Sequence, residues 1–157
     1  RNVPLHNKKT LNMDKRLVEP KSVSTTRLVK SEDLNHHGTL FAGRTAEWFV
    51  ESGFIAAATI VNPKSIVCLQ IHGLYFSQPA KPGEILSFVS KVVYAGKSSL
   101  VSYIHVIKEG QSEPFVSGFI TFINVNEETK PTPHNLEIVP KTEADKELYE
   151  KAKNLKK

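Results

Sequence analysis

Residues Leu34 to Val61 read LNHHGTLFAGRTAEWFVESGFIAAATIV, and this stretch limits what the chain can fold into more than any other. A polar turn with two histidines and spaced glycines runs directly into a helix that is apolar on almost every side. A helix with no face left for water must be buried, so the rest of the chain has to cover it. Its polar exceptions are Arg44, Thr45, Glu47, Glu51, Ser52 and Thr59. Glu47 and Glu51 stand four apart on one helix face, where like charges repel by roughly 0.2–0.5 kcal/mol. Two stacked carboxylates just beyond Asn35-His36-His37-Gly38 make this the first place to look for chemistry.

The cover follows the helix. Asn62-Pro63 closes it, because proline disfavours helix in the residue before it. Strands are expected over Ile66–Ser77, with a bulge or kink at Gly73, then Glu84–Tyr94, Ser98–Lys108 and Pro114–Val125. Pro82-Gly83, Ala95-Gly96-Lys97 and Glu109-Gly110 punctuate them as turns. Ahead of the helix, Ser22–Lys30 is rich in β-branched residues and reads as one more strand. A long apolar helix followed by a meander is an α+β arrangement whose antiparallel sheet must wrap the helix. Three segments are expected: an N-terminal arm or tail over 1–19, a wrapped domain over 20–140, and a C-terminal helix over 141–157. That last helix has Thr142 as N-cap and Asp145 three residues on, and its thin apolar content places it on the surface. A single curved sheet leaves edges and a face to cover, which favours pairing with a second copy.

Composition removes several function classes. The longest apolar run, Gly53–Val61, falls far short of the roughly 20 residues that a membrane-spanning helix needs. Cys68 is the only cysteine, so neither a disulfide framework nor a zinc knuckle is expected, and a cytoplasmic setting is the default. The net charge of +5 suits an anionic ligand, but lysines concentrated towards the two ends account for it as solubilising charge. No basic run interleaves with aromatics as single-strand nucleic-acid binders require. No Cys, Asp or further His stands at ligand spacing from His36 and His37, so no metal is expected.

Four segments, in order, resemble the hotdog-fold acyl-CoA thioesterases, in particular the bacterial and cytosolic acyl-CoA hydrolases. Asn35-x-x-Gly38-x-x-Phe41-Ala42-Gly43 is similar to that family's turn into the central helix. Phe76-x-x-Pro79-x-x-Pro82-Gly83-Glu84, Val92–Ser99 (VVYAGKSS), and Gly118–Val125 followed by Lys130-Pro131-x-Pro133 match the other three. The resemblance implies hydrolysis of acyl-CoA to fatty acid and CoA, at a site between two subunits, with no cofactor beyond the CoA of the substrate. It implies a homodimer, with a trimer of dimers as the larger assembly that relatives often form. Asn35, Gly38 and Gly43 would hold the thioester carbonyl against the helix N-terminus, where free N–H groups and the dipole favour negative charge. His36 and His37 would line that end. Gly96, Lys97, Ser98 and Ser99 match the segment that meets CoA, and their donors suit phosphate.

One departure stands out. The family's acid, usually Asp, comes fifteen residues after the Asn, and that position here is Val50. Glu47 and Glu51 flank it, and either is a candidate base or nucleophile, with Glu51 deeper along the helix. Without an acting acid, the chain would be a non-catalytic acyl-CoA binding or sensing module. A hotdog hydratase or dehydratase is the remaining alternative, although its His-Phe-Pro-Gly type signature is absent. Acyl chain length is not encoded in any one motif.

Overall fold

The computed structural model describes residues 14–155. Its central helix, α1, spans Ala42–Ala58. The helix buries Thr45, Trp48, Phe49, Ser52, Gly53, Ala56 and Ala57, a spacing of three and four that makes one continuous stripe. Small residues let this stripe approach the sheet closely. Ser52 Oγ lies 3.0 Å from Ser90 Oγ, Ser90 Oγ donates to Ser52 O at 2.7 Å, and Ser102 Oγ donates to Gly53 O at 2.9 Å. A Cβ on Gly53 would sit 3.0 Å from Ile104 Cδ1. Around this seam pack Phe49, Phe88, Leu86, Leu100, Ile104, Ile120 and Phe122, all fully buried.

The sheet supplies the cover. Strands β2 (Val23–Leu28), β3 (Ile66–His72), β4 (Ile85–Ala95), β5 (Ser99–Lys108) and β6 (Val116–Asn124) form one antiparallel sheet in the order β2-β4-β5-β6-β3. The expected meander holds for β4, β5 and β6. Strand β3, however, precedes β4 in sequence but pairs with β6 at the far edge. The connection from β3 to β4 therefore crosses the sheet as irregular chain, and Gly73, at φ +61, ends β3. The bulge expected at Gly73 lies instead between Cys68 and Gln70. A curved antiparallel sheet wrapped round one long helix is the hotdog fold.

Three expectations change. The arm expected over 1–19 falls partly outside the described residues, at 1–13. Within the described part, Arg16–Val18 is a strand, β1, paired in parallel with Leu136–Ile138, β7, inside 126–140, which the prolines mark as loop or extended chain. The C-terminal helix, α2 (Glu143–Lys153), has Thr142 as its cap and lies on the surface as expected, but it is docked more firmly than its thin apolar content suggests. It packs on β4, burying Ala152, with Tyr149 edge-on to Tyr94 at 5.1 Å and Asp145 paired to Lys91 at 2.5 Å. The third change concerns α1, whose outward face is not covered by its own sheet. Val50, Phe54 and Ile55 are only half-buried there, and Glu47 and Glu51 are exposed.

Candidate active site

The turn before α1 is built by one side chain. Asn35 Oδ1 accepts from the N–H groups of His37 (2.8 Å) and Thr39 (3.2 Å), while its Nδ2 donates to Thr39 Oγ1 at 3.1 Å. Backbone bonds from Gly38 N to Asn35 O and from Asn35 N to Thr39 O close the loop. Gly38 sits at φ +78, where any other residue would be strained. Asn35 therefore acts first as the organiser of its own turn, an Asx arrangement. The rings of His36 and His37 lie 4.0 Å apart, and both residues are exposed.

The helix opens from this turn without a cap. Phe41 stands at the N-cap position and no side chain bonds the first-turn N–H groups. An uncapped N-terminus leaves donors for something else to satisfy. Behind it lies buried Asp33, which accepts from Lys30 N at 3.0 Å and pairs with Arg44 Nε at 3.2 Å. Gly43 is exposed, and a Cβ there would fall 2.5 Å from the Phe41 ring.

The two glutamates differ. Glu51 is tied to Arg27 of β2, whose guanidinium also lies 5.3 Å from the centre of the Trp48 ring. Among the described residues Glu47 reaches only Arg44, at 3.6 Å, and its side chain is 62% exposed against 48% for Glu51. The expectation that both lie on a buried face fails: Glu47 sits on the outward stripe with Val50 and Phe54, and Glu51 is drawn aside to the sheet.

The Gly96–Ser99 turn joins β4 to β5. A Cβ on Gly96 would lie 2.5 Å from Ser99 Oγ, so any larger residue there would force the Ser99 hydroxyl to turn away. Gly96, Lys97, Ser98 and Ser99 line a cavity of about 250 Å³ that Thr121 and the end of α2, at Ala152 and Lys153, complete. On its other side, Gly96 and Lys97 border a larger hollow of about 620 Å³ with Lys15, His134, Glu137 and Tyr149.

These two groups do not meet within one chain. The Asn35–Gly43 turn is pinned near the start of β4, through Leu40 N to Ala80 O and Val29 N to Glu84 O. The Gly96–Ser99 turn follows the other end of β4, so roughly 30 Å of strand separates them.

The family model for the thioesterase superfamily matches residues 37–115, half of the chain. The chain belongs to the thioesterase superfamily. It is 29% identical over 138 residues to an uncharacterized acyl-CoA thioester hydrolase of Bacillus subtilis (strain 168), covering 85% of this chain and 78% of that one. It spans only 39% of a cytosolic acyl coenzyme A thioester hydrolase of Rattus norvegicus, which it matches at 26% identity over 91% of its own length. Among solved structures, an apo-hexameric acyl-CoA thioesterase superposes with a TM-score of 0.76 at 31% identity, covering 84% of this chain and 86% of that one. An acyl-CoA hydrolase of Staphylococcus aureus, solved with butyryl coenzyme A, coenzyme A and coenzyme A disulfide, superposes at 0.77 with 25% identity, covering 88% and 85%.

The other histidines of this thioesterase-superfamily chain serve different ends. His72 Nε2 lies 2.7 Å from Thr121 Oγ1, and burial holds its pKa below the ordinary value. Burial, and then the nearby Lys91, do the same for His105. Cys68 is exposed on β3, and partial burial of its sulfur pushes the thiol pKa up, against a smaller opposing backbone hydrogen bond at Gln70. Among the described residues, no group of three or more His, Cys, Asp or Glu could hold a metal, and no helix is long and apolar enough to cross a membrane. Sequence reading missed His134. Its only signal is its place directly after Pro133, at the end of the proline-rich exit.

Proposed function

We propose that this chain hydrolyses the thioester of acyl-CoA, at a site that a second copy of the chain completes. The observation that carries the second part is the separation along β4: the helix end and the Gly96–Ser99 end are a strand length apart in one chain. Two copies with opposed helices would bring one copy's helix end to the other's turn. Surfaces suited to such pairing are present, since edge strand β3 exposes Val67, Leu69 and Ile71, and Tyr75 and Phe76 beyond it are also exposed, Tyr75 at 81%. The hexameric state named for one neighbour and the CoA ligands named for another support the reading.

In this reading the open N–H groups of Ala42 and Gly43 hold the thioester oxygen as it gains negative charge. Lys97 and Ser98 of the other copy meet the phosphates of CoA. Glu47 takes a proton from water as the water attacks the carbonyl carbon. The C–S bond then breaks, and the CoA sulfur leaves with a proton as the thiol. Glu47 is preferred to Glu51 because Arg27 already occupies the Glu51 carboxylate.

A second reading, a binding module without turnover, is favoured by Val50 at the family's acid position. Thiol release from short, medium and long acyl-CoAs separates the two. Release by the wild type, cut about 100-fold or more in Glu47→Gln while CoA still binds, is the result expected for general-base loss. Tight binding with no thiol released from any chain length would make the protein a binder.

A further inference from the structure

We infer that His134 is a positioning residue for CoA binding, clamping the Gly96–Ser99 turn so that its carbonyl oxygens point away from the bound phosphates. The inference rests on the reading of that turn as the CoA contact. A turn that receives an anion must offer donors, since a carbonyl aimed at a phosphate would repel it. Here the three carbonyls that follow Gly96 are all held by other parts of the chain. Lys97 O accepts from His134 N at 3.3 Å, and Ser98 O accepts from Asn124 N at 2.7 Å. Ser99 O accepts from Gly96 N at 3.0 Å and from the His134 ring at 2.9 Å. His134 thus supplies two of these four bonds, one from its backbone and one from its side chain.

The ring is fixed from both sides. Leu136 N–H donates to Nδ1 at 3.0 Å, so Nδ1 carries no hydrogen. The carbonyl of Ser99 can only accept, so Nε2 must carry one. Only the neutral Nε2–H tautomer satisfies both partners. The chain is bent to allow this: Asn135, between His134 and Leu136, adopts a left-handed φ of +57, an unfavourable conformation that Asn tolerates better than most residues. Burial, the larger effect, and Lys15 hold the ring's pKa below the ordinary histidine value, against opposing hydrogen bonds to Ser99 and Gly96. The charged and titratable groups around the hollow that it borders are Lys15 ahead of β1, Lys97 of the turn, Glu137 of β7 and Tyr149 of α2. Protonation would place the ring's second hydrogen on Nδ1, against Leu136 N–H, and so break the bond that orients the ring towards Ser99 O.

The test is CoA binding by titration calorimetry on the full chain, near neutral pH and again at about pH 5, for wild type, Lys97→Ala, His134→Ala and His134→Gln. The glutamine amide can still reach Ser99 O but does not titrate. The inference expects His134→Ala to weaken CoA by about five-fold with kcat unchanged, as one lost hydrogen bond would. It expects His134→Gln to stay within about two-fold of wild type and to lose the weakening at acid pH that wild type shows. The imidazole nitrogen shifts of His134 should report the Nε2–H tautomer near neutral pH, a readout that needs no variant to fold. Wild-type affinity in His134→Ala alongside weakened binding in Lys97→Ala overturns the inference and leaves the CoA reading standing, as does an Nδ1–H tautomer. Wild-type affinity in Lys97→Ala overturns the reading of the turn itself, and the inference with it.

Discussion

In the proposed site the two ends of β4 have the same task, presenting donors to an oxygen, and they are built for it in opposite ways. At the start of the strand the solution is local: Asn35 folds a five-residue turn on itself, Gly38 lets it close, and the helix that follows begins uncapped. At the far end the turn makes one bond of its own, from Gly96 N to Ser99 O, and depends on outside support for the rest. It is held by residues distant in sequence, Asn124 and His134, which in turn depend on a strap that Asn124 also anchors through Thr132. A local turn survives changes elsewhere in the chain. A strapped turn inherits the stability and the protonation state of what straps it. Sensitivity to distant substitutions and to acid is therefore expected at the Gly96–Ser99 end and not at the Asn35 end.

The contrast can be broken most sharply through the glutamates. Glu47→Gln should lower kcat about 100-fold or more and leave CoA affinity unchanged, as steady-state kinetics and calorimetry would show. Lys97→Ala should do the reverse, raising KM by about ten-fold, the cost of one charge-assisted contact, with kcat intact. Arg27→Ala should cost only about 1 kcal/mol of stability in a denaturant melt, since an exposed ion pair and a cation–ring contact are both weak. If Arg27→Ala instead lowers kcat about 100-fold while Glu47→Gln leaves it intact, Glu51 is the acting carboxylate. The smallest effect is acid sensitivity. A histidine whose folded pKa is lowered binds fewer protons folded than unfolded, so its contribution is present above the unfolded value of about 6.5. That contribution fades as pH falls through the folded value. His134→Gln should flatten this part of a pH–stability profile.

The buried half of this architecture was written plainly in the sequence. The period of α1, the alternation of β4, β5 and β6, and the Pro82-Gly83 and Gly96-Lys97 turns all depend on neighbours close in sequence. Strands β1 and β7 left no such trace, because each is three residues long and its partner lies over a hundred residues away. The place of β3 was hidden for the same reason: alternation reveals a strand but not its neighbour. The misreading of α1 has a different origin. Val50 and Phe54 make its outward face apolar, and a helix apolar on that face reads as buried whether its cover is its own sheet or something else. The carboxylates on that face were visible as a pair, and Arg44 stood within reach of Glu47, but the attachment of Glu51 to Arg27 across to β2 was not visible. Lys97 and Ser98 were visible through the motif. His134 was not, since a single histidine after a proline has no pattern to mark it.

The central claim is that one site draws on two copies of the chain, and mixing two crippled variants tests it most directly. Glu47→Gln removes the carboxylate and Lys97→Glu repels the phosphates, so each alone should be nearly inactive at acyl-CoA concentrations well below KM. If each site takes Glu47 from one copy and Lys97 from another, unfolding and refolding the two variants together at equal amounts should restore about a quarter of wild-type thiol release, because a random pairing leaves that share of sites intact. If both residues act within one chain, every site in the mixture carries a defect, and thiol release no higher than that of the separate variants would contradict the account.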